Sequence, residues 1–101
     1  LNTSKWVSDS EFAKPILEYI TEHFPNASIE EWEHEKKESL NFHIHDNDVR
    51  YVLRVMDECF VNQQVVDIKP MLESFNVAQV VRDIRDFPVV VTNSGCIFGS
   101  P

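Results

Sequence analysis

Residues 40–55, LNFHIHDNDVRYVLRV, constrain this chain most, because they hold two runs of alternating polarity joined at a polar break. Leu40, Phe42 and Ile44 alternate with Asn41, His43 and His45, and Tyr51, Leu53 and Val55 alternate with Val52 and Arg54. A period of two belongs to a strand with one face on a core, so strands are expected over 40–45 and 49–56. Parity then restricts the turn, since a one-residue slip sends every side chain to the other face. A two-residue loop at Asp46-Asn47 sets Phe42 opposite Tyr51 and Leu40 opposite Leu53. A four-residue loop at 46–49 sets Ile44 opposite Tyr51 and Phe42 opposite Leu53. A three-residue loop would set Leu40 against Arg54 and Ile44 against Arg50, so an even loop is expected. Asp and Asn tolerate the left-handed backbone of tight hairpins. Leu40, Phe42, Ile44, Tyr51, Leu53 and Val55 should line the covered face. Asn41, His43, His45, Val52, Arg54 and Met56 should line the other.

The flanking segments carry helical periodicity. Phe12, Ile16, Tyr19 and Ile20 predict a helix over 9–24, capped at Ser8 or Ser10 with Glu11 completing a capping box. Pro15 removes one hydrogen bond there and is expected to kink the helix or delay its start. Over 67–86, Ile68, Met71, Leu72 and Phe75 form one apolar stripe and Val77, Val80, Val81 and Ile84 another, with a jump in phase at Asn76. Asn76 is the expected N-cap of the second piece, with Gln79 at its capping-box position. Asp67 is the expected cap of the first, which leaves Pro70 in a first turn that tolerates it. Pro88 ends the helical region. Val89–Thr92 reads as a buried strand, and Cys96–Phe98 as a short return after the Asn93-Ser94-Gly95 turn.

Residues 28–37, SIEEWEHEKK, fit two elements. Ser28 and Glu31 match a capping box, but Ile29 and Trp32 give a helix almost no apolar face. An edge strand is preferred, guarded by its charges and followed by a turn at 36–39. The expected fold is α+β in the order α-β-β-β-α-α-β, one small domain over residues 1–101. A mainly antiparallel sheet of three to five strands carries helices on one face.

The charge narrows the partners. Nine bases against seventeen acids give −8, and residues 1–50 alone carry eleven acids and five bases. Such a balance opposes nucleic-acid binding, which needs cations to displace phosphate counterions. No apolar run reaches the roughly 18 residues of a membrane span. Two widely spaced cysteines are no disulfide framework, so free thiols and a cytoplasmic setting are expected.

Four constellations bear on function. His43 and His45 point to one side of a strand, and Asp48 or Asp46 could add an oxygen, a set that suits zinc or a similar ion. Arg50 falls opposite one of these histidines in either register, a cation beside a cation site. Cys59 follows Asp57 and Glu58, whose charges oppose a thiolate, so it is expected to be structural. The helical pair before Val89–Phe98 could be a winged helix with Arg82 and Arg85 on phosphates, but Asp83 and Asp86 alternate with them. Finally, Glu31, Glu33 and Glu35 surround Trp32, an aromatic anchor with steering charges for a basic protein. With Val52 and Met56 on an open sheet face, they make a non-enzymatic protein-binding module the first expectation. An inhibitor- or immunity-type binder of a basic protein, or a homodimer through that face, would both fit. No cofactor and no catalytic residue is expected. Metal or ligand binding at His43 and His45 ranks second, and a degenerate winged helix third.

Overall fold

Alternation at 39–56 produces the central feature of the fold, a long antiparallel hairpin. In the computed structural model, β2 (Ser39–Asp46) pairs with β3 (Val49–Met56). The structure describes residues 2–33, 39–61, 63–84 and 87–98, and the side chains of these apart from 2–10, 32, 33 and 98. Phe42 lies opposite Leu53 and Ile44 opposite Tyr51, the even register reached with the longer loop. The ladder runs one pair further, to Asp46 opposite Val49, leaving Asn47-Asp48 as the turn. Asn47 takes φ 59°, a left-handed conformation that Asn accepts more readily than most residues.

Around the hairpin the sheet has five strands in the order β1-β2-β3-β4-β5. The edge strand β1 (Ser28–Glu33) runs antiparallel to β2, with Ile29 opposite Ile44 and Glu31 opposite Phe42. The expected turn at 36–39 falls largely outside the described residues, and Ser39 already belongs to β2. On the other side β4 (Val89–Thr92) runs parallel to β3, with Leu53 opposite Val89. A parallel neighbour needs a long crossover, which the helical segment 65–83 supplies. β5 (Gly95–Phe98) returns antiparallel to β4. Val89 and Val91 of β4 are buried, as a buried strand predicts, and Val90 between them is half-buried.

The helices cover one face. α1 (Asn2–His23) starts well before residue 9, so Ser8 and Ser10 lie inside it rather than at its N-terminus. No Gly or Pro occurs before Pro15 to stop it. Pro15 neither kinks it into two nor delays it, because the carbonyl left without a partner belongs to Glu11, on the exposed side. Ala13, Ile16, Tyr19, Ile20 and Phe24 face the core. α2 (Val65–Ser74) begins two residues earlier than expected: Gln64 is the N-cap, and Asp67 closes a reciprocal capping box from inside the helix. Pro70 then lies past the first turn, but the carbonyl it strands is that of the exposed Val66. No described helix is long and apolar enough to cross a membrane.

The break between α2 and α3 (Val77–Asp83) falls at Asn76 as the phase jump predicts, for a different reason. Asn76 adopts φ 56°, ψ 44° and its side chain makes no capping bond. In that left-handed conformation it ends α2, its N–H donating to the Glu73 carbonyl at 3.0 Å. An N-cap side chain works from extended backbone, which Asn76 does not have. The cap comes from α1 instead: the buried Tyr19 hydroxyl accepts the Ala78 N–H at 2.9 Å. Gln79 turns outward and donates to Asp83.

The core is continuous from α1 through Phe42, Leu53, Val55, Val89 and Val91 to Ile68, Leu72 and Val81. Two substitutions separate the roles at the helix break. Tyr19→Phe should cost about 1–2 kcal/mol by orphaning a buried N–H. Asn76→Val should cost about 1–2 kcal/mol, while Asn76→Gly should be neutral or stabilising. Urea midpoints of the three variants test this assignment.

Candidate functional site

The face without helices is where polar and titratable side chains collect. Its described members follow from strand parity: Ser28 and Glu30 on β1; Ser39, Asn41, His43 and His45 on β2; Arg50, Val52, Arg54 and Met56 on β3; Val90 on β4 and Ile97 on β5. Val52, Met56 and Val90 are half-exposed, and Ile97 is exposed. Among the described residues of this face the charges are Arg50, Arg54 and Glu30, two positive and one negative.

At one end sits a polar knot. Asn41 is fully buried and Ser39 nearly so, although both belong to the helix-free side. The Asn41 amide donates to the Ser39 carbonyl at 3.3 Å, and Arg54 Nε donates to Asn41 Oδ1 at 2.8 Å. Asn41 lies opposite Arg54 in the ladder, so the strand register itself delivers the guanidinium to the amide. The alternation showed Asn41 to be polar and outward; nothing in it signalled burial.

At the other end, the β1–β2 ladder puts Glu30 directly opposite His43, with His45 two residues along on the same face. One Glu30 oxygen stands 4.0 Å from His43 Nδ1 and 3.8 Å from His45 Nε2. One donor atom from each of the three residues falls within 4.8 Å of the others. Asp48, the oxygen ligand expected from sequence, is not in this group; it occupies the exposed hairpin turn. Arg50 lies opposite His45. Partial burial first, then the Arg50 charge, pushes the His43 imidazole below its ordinary pKa and favours its neutral form.

The acid-ringed anchor falls on β1. Trp32 lies opposite Asn41 in the ladder, whereas Glu31 and Glu33 lie opposite Phe42 and Leu40 of the core-facing row. Trp32 and the two glutamates occupy successive backbone positions of β1. Glu35 lies outside the described residues.

Other candidates are engaged structurally. Cys59 is buried and its thiol donates to the Val91 carbonyl at 3.4 Å. Burial, and then Glu58, push it up to about 11, so no thiolate nucleophile forms near neutrality. Arg82 donates to the His23 carbonyl and lies over the Phe24 ring, 4.6 Å from its centre. Its guanidinium is thus engaged by the protein's own His23 and Phe24 although the residue is exposed, and Arg85 lies outside the described residues. An open groove between α1 and α2 is lined by Pro15, Val65, Val66 and Pro70, with Lys14, Glu18 and Lys69 beside them. Lys69 is paired there with Glu22.

No family model, curated protein or solved structure matches this chain. Functional interpretation therefore rests on the geometry above.

The thiol gives a pH prediction. Unfolded Cys59 ionises from about pH 9, while the folded thiol keeps its proton to about 11. Between those values the unfolded state holds fewer protons, so stability is full below pH 9 and falls as pH rises toward 11. Cys96, also raised by burial, contributes in the same direction. Urea midpoints from pH 8 to 11 should fall more steeply in the wild type than in Cys59→Ala.

Proposed function

We propose that this protein is a non-enzymatic protein-binding module whose helix-free sheet face meets a protein partner. The supporting observation is the composition of that face: Val52, Met56, Val90 and the exposed Ile97 share one side of a five-stranded sheet that helices cover only on the other. A half-apolar open sheet loses free energy to water that a partner surface recovers. Arg50 and Arg54 on the same face fit a partner surface that offers carboxylates around an apolar centre. The remaining acidity, including Glu11, Glu18 and Glu22 of α1, keeps the opposite side soluble and free of the contact. Both cysteines are free thiols, which suits a reducing, cytoplasmic setting.

Paired charge insertions test the surface. Val90→Glu with Ile97→Glu should abolish retention of the partner from source-cell lysate, while Glu18→Lys on α1 should leave it intact. Equal retention by the face variant, or loss with Glu18→Lys alone, contradicts the proposal. So does a wild-type protein that retains nothing. Thermal melts of all three confirm that the fold persists. Sedimentation of the purified protein identifies a second copy as the partner if the mass doubles only when the face is intact.

A further inference from the structure

We propose that Glu30, His43 and His45 form a binding site for a divalent transition-metal ion of the zinc class. The site is independent of the protein-binding proposal and occupies the β1 side of the same sheet face. It rests on a cross-strand juxtaposition: the antiparallel ladder sets Glu30 against His43, and the two-residue strand period brings His45 to the same side. Together they offer two imidazole nitrogens and a carboxylate oxygen.

The spacing suits one ion. Metal–ligand bonds of about 2.0–2.1 Å in a tetrahedral shell put neighbouring donor atoms roughly 3.3 Å apart. Here the Glu30 oxygen is 3.8 and 4.0 Å from the two imidazole nitrogens. All three donors lie within 4.8 Å of one another, so binding an ion requires the two imidazoles as well as Glu30, whose side chain is 72% exposed, to draw inward. The two rings stand edge-on, 6.4 Å apart at their centres and 75° between planes, so the imidazoles do not stack against each other.

Chemistry selects the class of ion. Calcium and magnesium require a shell of mostly oxygen ligands, which two histidines cannot supply. Imidazole with one carboxylate suits zinc and its neighbours, and three protein ligands leave the fourth position to water or another donor. Arg50, opposite His45, acts against the cation. That opposition gives the proposal a signed test, because removing this charge should strengthen binding while leaving all three ligands in place.

Calorimetric titration with zinc chloride, followed in parallel by imidazole nitrogen shifts, decides the matter. The wild type should bind one ion, with shifts at His43 and His45 and none at His23. Glu30→Gln, His43→Ala and His45→Ala should each weaken binding by at least about tenfold. Arg50→Gln should tighten it roughly threefold. No saturable binding up to about 1 mM zinc overturns the proposal. It also fails if the double variant His43→Ala/His45→Ala binds as well as the wild type, or if the shifts appear at His23. Metal-free melts establish that each variant folds, and the shifts on unaltered protein locate the ion even if one does not.

Discussion

Pairing of β2 with β3 in a single register is the constraint from which the rest of this structure follows. With Phe42 opposite Leu53 and Leu40 opposite Val55, one side of the hairpin becomes a continuous apolar row. Full burial of each such side chain contributes about 1.5–3 kcal/mol, so a one-residue slip would forfeit several of these terms at once. β1 and β4 then add to the hairpin's two edges in the only phase that extends the row, through Ile29 on one side and Val89 and Val91 on the other. The same phase sends Asn41, His43, His45 and Arg54 to the opposite face. Core and candidate sites are therefore two outcomes of one register.

The helices answer to that row rather than setting it. α1 lays Ile16 and Ile20 into the core, and its Tyr19 reaches across to cap α3. α3 is only seven residues long, too short to be stable in isolation, so a cap lent by another helix matters to it. Two helix-interior prolines persist because each strands a carbonyl on an exposed residue, Glu11 or Val66, where water can replace the lost N–H.

Much of this was legible in the residues, because periodicity reports burial directly. The hairpin faces, the break at Asn76 and the return after Gly95 all left a local pattern. What was not legible came from contacts between elements distant in sequence. A phase jump shows where a helix breaks but not that Tyr19, 59 residues from Ala78, will provide the cap. His-x-His announces two donors on one strand face. The third, Glu30, became visible only through the β1–β2 ladder, while sequence proximity pointed to Asp48. Asn41 shows the converse: its polarity was plain, but neither its burial nor its bond to the Arg54 guanidinium thirteen residues away left a local pattern.

The most direct test is the cross-strand pattern of backbone nuclear Overhauser effects in the 39–56 hairpin. Contacts linking Phe42 to Leu53 and Ile44 to Tyr51, and continuing from β3 to β4 between Leu53 and Val89, are what the account predicts. Contacts linking Phe42 to Tyr51 and Leu40 to Leu53 would mean the shorter-loop register, and would contradict it.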